Sequence, residues 1–490
     1  MKRCSIFFLF SLISLIGICQ NSKENKMRIE FKVQESSDPI YPINCNEYGL
    51  VITYANTTEN IDTMLWTIAH FDVNMEPISS QEIKLKGNLF IRNHSIDGHY
   101  LYLALSNTAG KRDKTDIAVI KYDLECKEET KWIGITQDKQ VIVNNIVSDD
   151  NDVLVTLEDK DKIDYLLYFD FKNSAATTIT ISTNSSYTKV LNNEKSNYCN
   201  GCFNMLILDK TYINNEYSLT VAEVRNKKLR STNKIMLGDS IMLTSVYPLY
   251  SSDNELKSIV GSYFSGNLKK NKTEFGMPAT GIFTYNFTDK KVNLLPLKIS
   301  GSEIYFYWNK PIKADSLIKN NLCTYLFTTE LYTPKYNVVS DIDYDYYGRP
   351  YSYYREEFEG FKSSYSILYL IDENANIIFS NDLTINGTTH TDTKPKVKTV
   401  SIDKNILECY FNFDHIEYRI SNLYHKNKKI ENLYVYSKYK RDVIQDEYNS
   451  KIEKWYNNYY LVYGYQQIKN NSLRGNSRRS VFFAQKVQLR

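Results

Sequence analysis

The chain has 490 residues, a formal net charge of +3 at pH 7, 42% apolar residues and an aromatic share of 14% that is dominated by 41 Tyr. Its 18 Gly and 10 Pro lie well below the roughly 12% of ordinary usage, which excludes collagenous and Pro/Gly-rich disordered chains. The near balance of charge leaves no basic excess of the kind that nucleic acid or another polyanion recruits.

Met1-Lys2-Arg3 followed by the apolar run Ser5 to Ile18 reads as a signal peptide over residues 1–19, because a membrane span needs about 20 apolar residues. Ile16-Gly17-Ile18-Cys19 resembles a lipobox, in which Cys19 becomes the lipidated first residue, although Ile18 stands where that motif has a small residue. Ordinary cleavage near Cys19 is the alternative. Residues 20–27 are expected to form a polar tether. The later cysteines, Cys45, Cys126, Cys199, Cys202, Cys323 and Cys409, are too sparse for a small secreted disulfide scaffold, though one or two bridges remain open. Cys199-Asn-Gly-Cys202 has redox-motif spacing but lacks a βαβ context and a second pair for zinc, so a structural role is expected.

From Arg28 onward strand signals recur. Arg28 to Val33 alternates polar and apolar residues, and similar runs include Leu50 to Tyr54, Tyr100 to Leu105, Val153 to Leu157, Ile259 to Phe264, Cys409 to Phe413 and Val481 to Val487. Polar turns separate them, which predicts an all-β fold. An aromatic or apolar residue followed by Asp or Asn closes a strand at Phe71-Asp72, Tyr122-Asp123, Phe169-Asp170, Tyr285-Asn286 and Ile371-Asp372. The recurrence is near 50 residues, with a degenerate copy expected around Thr220 to Val224, and periods near 50 belong to four-stranded propeller blades. The expectation is a single β-propeller over residues 28–490 with about eight blades, seven being the alternative. Blade starts fall near Tyr41, Gly87, Val141, Tyr187, Asp239, Ala314, Val397 and Asn449, and the strand at Arg28 to Val33 completes the last blade beside Val481 to Val487. Ile444, Tyr448, Ile452 and Trp455 have the spacing of one helical face.

The segment from Leu331 to Lys362 is the most unusual, with Tyr332, Tyr336, Tyr344, Tyr346, Tyr347, Tyr351, Tyr353 and Tyr354 among many carboxylates. Exposed Tyr offers a flat rigid face and one hydroxyl at small entropic cost, which suits sugars or protein partners. The candidate binding residues are Asp341, Asp343, Asp345, Tyr346, Tyr347, Arg349, Tyr351, Tyr353 and Tyr354. Asp341-x-Asp343-x-Asp345 resembles the opening of a calcium loop, but Tyr346 stands where that loop needs Gly and no Glu occupies its twelfth position. A self-packed insertion is the competing reading. None of the six His has metal-ligand spacing, no nucleophile or phosphate-loop motif is present, and Arg474, Arg478 and Arg479 read as a solvated hairpin tip.

Three stretches carry a resemblance: Tyr346-Tyr347-Gly348-Arg349-Pro350 continuing to Glu357-Phe358-Glu359-Gly360-Phe361, Leu370-Ile371-Asp372-Glu373-Asn374, and Trp455 to Gln466 with the ending Arg478-Arg479-Ser480-Val481-Phe482-Phe483. They resemble exported or lipid-anchored propeller-like proteins of Bacteroidota-type bacteria. The resemblance covers mainly the last third of the chain, implies a cell-envelope location and a repeat fold, and carries over no catalytic residues. The functional expectation is a non-catalytic exported binding or scaffolding module, without catalytic residues, metal or cofactor, whose partner is a glycan or an envelope protein. It is expected to meet the membrane only through a lipid on Cys19. The alternative is a glycan hydrolase or lyase using carboxylates at the central channel.

Overall fold

Among the described residues, apolar and β-branched side chains at alternate positions pair into antiparallel strands, and these assemble into eight separate sheets. The computed structural model describes residues 27–489 except 34–39, 57–62, 88, 108–113, 127–129, 162, 182–184, 212–215, 266–280, 297–304, 309–311, 315–322, 386–388, 391–395, 403, 413, 424–428, 440 and 471–476. The signal segment, Cys19, the expected tether up to residue 26 and Arg474 lie outside the described residues.

Blades 1 to 5 each take four consecutive strands, from Tyr41–Asn44 at the start of blade 1 to Lys291–Pro296 at the end of blade 5. The innermost strands of blades 2 to 5 are Leu89–Asp97, Val141–Asp149, Ser185–Lys195 and Ile241–Tyr250. Blade 6 is built on Tyr305–Trp308, Thr324–Tyr344, Pro350–Asp372 and Ile377–Thr384, with two further short strands. Blade 7 runs from Lys398–Ile402 to Glu431–Tyr434. Blade 8 comprises Asp442–Lys454, Tyr459–Asn470, Ser477–Gln488 and, as its outermost strand, Arg28–Lys32.

Core packing links each sheet to the next. Trp66 and Leu85 of blade 1 meet Leu89 and Leu103 of blade 2; Tyr102 and Val119 meet Val143 and Leu157 of blade 3; Leu154 and Leu166 meet Phe203 and Met205 of blade 4. Leu208 and Leu219 then meet Leu243 and Ile259 of blade 5, Leu249 and Ile282 meet Tyr325 and Phe327 of blade 6, and Leu326 and Leu368 meet Ile406 of blade 7. Leu407 and Cys409 meet Ile452 and Tyr460 of blade 8, whose Leu461 and Phe482 pack on Leu50 and Phe71 of blade 1. The succession of contacts returns to its origin, and the fold is an eight-bladed β-propeller. The expected starts at Tyr41, Gly87, Val141, Tyr187, Asp239 and Val397 lie within two residues of observed innermost strands. Ala314 and Asn449 fall late, because the innermost strand of blade 6 begins at Tyr305 and that of blade 8 at Asp442.

The repeated Asp has a single physical job. Asp72 Oδ1 accepts from the backbone N–H of Asn74 and of Glu76, each at 2.8 Å. Asp123 Oδ1 accepts from Glu125 and Cys126 at 2.8 and 2.9 Å, and Asp372 Oδ1 from Asn374 and Asn376 at 2.9 and 2.8 Å. Asp170 and Asn286 do the same for the turns after them. Each closes the turn between the third and fourth strands of its blade by satisfying turn N–H groups. The copy in blade 4 lacks Asp because Arg225 passes into a two-residue turn in which Asn226 and Lys227 both have positive φ, 53° and 60°, so no side-chain cap is needed.

Two expectations are corrected here. Ile444, Tyr448 and Ile452 belong to the strand Asp442–Lys454 rather than a helix; bulges after Ile444 and after Tyr448 each add one residue, so their partners Ile468, Tyr465 and Val462 put successive members on opposite faces of the blade. Arg479 is not solvated. Its guanidinium takes both oxygens of the buried Asp442 carboxylate and lies 3.4 Å from Glu30, which Arg28 of the same strand also binds at 2.8 Å, so that the Arg479–Glu30 ion pair holds the outermost strand in addition to its register.

Candidate functional site

The Tyr-rich segment is a continuation of two blade 6 strands. Thr324–Tyr344 and Pro350–Asp372 stay in register to their tip, but beyond Lys335 and Gly360 no other described strand flanks them, and the hairpin projects as a free two-stranded arm. A bulge at Glu359 marks the base, where Gly360 adopts φ +147° and Lys335 binds Glu359 at 2.7 Å. The tip repeats the capped turn of the blades: Asp345 Oδ1 accepts from Tyr347 and Arg349 N–H at 2.9 and 2.8 Å, and Gly348 supplies the positive φ.

Directly opposed residues share a face, and the register sorts the arm into two unlike surfaces. On one lie Asn337, Val339, Asp341 and Asp343 with Tyr351, Tyr353, Arg355 and Glu357. This face satisfies itself: Arg355 is 3.4 Å from Asp341 and 2.6 Å from Glu357, and Tyr351 donates to Asp343 at 3.4 Å. The Asp343 charge holds the Tyr351 hydroxyl above its ordinary pKa. On the other face lie Tyr336, Val338, Ser340, Ile342 and Tyr344 with Phe358, Glu356, Tyr354, Ser352 and Pro350. Here Val338, Ile342, Tyr344 and Tyr354 are 67, 63, 65 and 75% exposed.

The expected binding residues are therefore divided. Asp341, Asp343, Tyr351 and Tyr353 sit on the self-paired face, Tyr354 on the apolar one, and Tyr346, Tyr347 and Arg349 at the tip, where Arg349 lies over the Tyr347 ring at 5.4 Å. The calcium-like spacing does not make a site: Asp341 and Asp343 lie on the extended strand, Asp345 caps the turn beyond it, and the three do not bring their oxygens together as a metal-ligating group. Val338, Ile342, Tyr336 and Tyr344 are not among the candidate binding residues. Their signal was the period-two run Tyr336-x-Val338-x-Ser340-x-Ile342-x-Tyr344, outweighed by the Tyr count.

The axial wall is the second place where chemistry collects. Innermost strands carry a bulge before Asn93 in blade 2, Asn145 in blade 3, Asn192 in blade 4 and Ser245 in blade 5. These strands line a cavity of about 480 Å³ that includes Ser95, Asp97, Asn145, Ser148, Asn193 and Lys195. Its polar groups bind one another across the blades. Asn93 donates to Asn145 at 3.3 Å, Asn145 to Asn193, and Ser95 pairs with Ser148 at 2.8 Å. Lys195 Nζ lies 2.9 Å from Asp97 and 2.7 Å from Asp149; burial disfavours its charge, but the two carboxylates outweigh this and raise its pKa.

Farther around the ring, Glu330 is buried and accepts from the Tyr332 hydroxyl and the Lys396 and Val397 N–H groups at 2.6, 2.7 and 2.6 Å, fastening the passage into blade 7. Removal from bulk water pushes Glu447 up to about 7, against hydrogen bonds from Ser450 and the pull of Lys396, and pushes Lys396 down to about 8, against the pull of Glu330 and then of Glu447. His94 is pushed down by desolvation against the pull of Glu453, which itself accepts from the Tyr463 hydroxyl at 2.6 Å. Cys199 and Cys202 form a disulfide in the turn after Lys195, with Glu223 3.6 Å from Cys199 Sγ. Among the described residues these three are the one group with metal-ligand proximity, and the disulfide commits both sulfurs. No described helix is long and apolar enough to cross a membrane.

No family model matches the chain, and no curated protein matches it. Among solved structures it is similar to dihydro-heme d1 dehydrogenase NirN in complex with DHE, at 12% identity and TM-score 0.44, covering 100% of this chain and 86% of that one. It is also similar to the β-propeller domain of the Trilobed protease from Pyrococcus furiosus, at 10% identity and TM-score 0.35, covering 82% and 95%. A third is prolyl oligopeptidase B from Galerina marginata, at 8% identity and TM-score 0.39, covering 88% and 57%. Likenesses this distant bear on neither chemistry nor ligand.

Proposed function

We propose that the protein is an exported, non-catalytic binding or scaffolding module of the bacterial cell envelope, in which the propeller is the rigid mount and the arm is the contact surface for a glycan or an envelope protein. The observation that carries this reading is the bare apolar face of Val338, Ile342, Tyr344 and Tyr354, because an isolated two-stranded ribbon is marginally stable in water and gains from being covered. The segment Met1 to Ile18 supports export, and a disulfide such as Cys199–Cys202 suits an oxidising compartment. Hydrolysis at the channel would need one protonated and one ionised carboxyl flanking a bond. Asp97 and Asp149 instead share the Lys195 ammonium, and the amides and hydroxyls beside them bind one another, which favours a structural axis.

The test is retention of envelope fractions and purified glycans on immobilised protein, compared with a Val338→Ser, Ile342→Ser, Tyr354→Ser triple variant. The reading expects specific retention by wild type and its loss in the variant. Equal retention by both would reject the arm as the contact surface, and glycan turnover abolished by Asp97→Asn would replace the reading with hydrolysis.

A further inference from the structure

We propose that the apolar face of the arm is a self-association surface whose occupant is the same face of a second copy of this chain. The proposal rests on the reading above that this face makes a contact, and it names the partner. Only one face of the ribbon needs covering, because Arg355, Asp341, Glu357, Asp343 and Tyr351 already satisfy the other. A partner must then supply a flat, elongated, weakly charged surface as long as the arm. The arm itself is such a surface.

The register makes the face complementary to itself. Large and small side chains alternate across it, with Tyr354 opposite Ser340 and Ile342 opposite Ser352. Consider two arms stacked face to face and antiparallel, with the two-fold axis in the interface midway between the Ser340/Tyr354 and Ile342/Ser352 rows. Tyr354 then stands over Ser352 of the second copy, Ile342 over its Ser340, and Val338 over its Tyr344. Every large residue at the centre meets a small one, which lets the layers interdigitate at the roughly 10 Å spacing of packed sheets. Glu356, the one charged side chain on the face, falls over Pro350 of the second copy, beside the tip turn that carries its Arg349. The antiparallel arrangement also leaves the two propellers at opposite ends of the stack, whereas parallel arms would bring the rings side by side.

Nine residues per strand span about 30 Å, and a ribbon about 10 Å wide covers roughly 300 Å² in projection. This is well under the roughly 800 Å² per partner of standard stable complexes, so the dimer is reversible and grows with concentration.

Sedimentation equilibrium of the purified exported chain tests this. The expected result is a weight-average mass that rises toward twice the monomer on concentration and stays at the monomer for Ile342→Asp and for Tyr354→Asp, with unchanged melting curves showing that both variants fold. Register is tested separately: a short bis-maleimide should join a Ser340→Cys copy to an Ile342→Cys copy faster than it joins either to itself. Wild type that stays monomeric at its highest soluble concentration, or a dimer that persists in Ile342→Asp, overturns the proposal. Monomeric wild type that binds a glycan or envelope protein through this face would overturn the dimer and leave the contact reading standing, and variants identical to wild type in both assays would remove both. Binding of monomeric wild type to phosphatidylethanolamine/phosphatidylglycerol vesicles, lost in Tyr354→Asp, would assign the face to lipid and overturn the dimer.

Discussion

Arg479, on the last strand of the chain, takes both oxygens of Asp442, on the innermost strand of the same blade, and thereby crosses the full sequence of blade 8 to reach the seam where the first described strand is added. Asp442 is buried, and Arg479 also faces Glu30. Burial opposes the Asp442 charge, yet Arg479 and Asn470 more than compensate and hold its carboxyl below the ordinary 3.8.

Removing Asp442 leaves the Arg479 guanidinium with only its longer 3.4 Å contact to Glu30, so Asp442→Ala should lose about 3 kcal/mol in urea denaturation. The sign of the pH effect follows from the depressed pKa: the contribution is present above 3.8 and is lost as pH falls through the lower folded value. A variant whose stability and acid midpoint both match wild type would show that the seam is held by strand pairing alone.

Glu447 should behave in the opposite way. Its folded pKa of about 7 lies above the ordinary 4.5, so the folded state holds the proton longer and stability falls as pH rises between those values. Glu447→Gln is expected to flatten melting temperature against pH over that window. Lys396, pushed down to about 8 from 10.5, should add stability as pH rises between those two values, and Lys396→Met should remove that rise.

Gly464 makes room for the blade 8 bulge. A Cβ there would meet Ser450 Oγ at 2.1 Å and Ser450 Cα at 2.6 Å, so Gly464→Ala is expected to cost about 1 to 3 kcal/mol or more in chemical denaturation. Gly98, whose surroundings are open, is the contrasting position, where any cost of Ala comes from its φ of +55° alone.

Asp372 is among the buried carboxylates of the repeated turn. Asp372→Ala should cost about 1 to 2 kcal/mol, since two backbone N–H groups lose their acceptor, while Asp372→Asn should keep most of the stability because the amide oxygen can replace Oδ1. Equal losses in the two variants would mean that charge rather than turn closure sets the effect.

The combined variant Tyr346→Ala, Tyr347→Ala, Tyr351→Ala is expected to stay within about 1.5 kcal/mol of wild type, about 0.5 kcal/mol for each exposed ring. A loss of several kcal/mol would show that the arm packs on the ring in solution.

Much of the architecture is legible in the sequence. Strand alternation, the period near 50 residues and the recurring Asp are properties of each blade taken alone, because a turn cap acts within a few residues of itself and a pleat repeats every two. Those features sufficed for the fold class, most blade starts and the terminal strand beside Val481 to Val487. They fail at Ile444 to Ile452, where two bulges break the period-two alternation by which a strand is recognised. They fail again at Arg479, whose partners Glu30 and Asp442 lie far away along the chain.

The candidate site divides along the same line. That Leu331 to Lys362 was unusual, and rich in Tyr, was written in composition. Which side chains face outward together was decided by cross-strand register, since Tyr354 joins Val338 and Ile342 while Tyr351 joins Asp343 only once the hairpin has formed. The sequence by itself determined the repeating module and its turns, because these are set by near neighbours. Tertiary structure alone decided the seam, the axial lysine between two aspartates and the bare face of the arm, because each depends on groups that meet only when the ring assembles or the two long strands align.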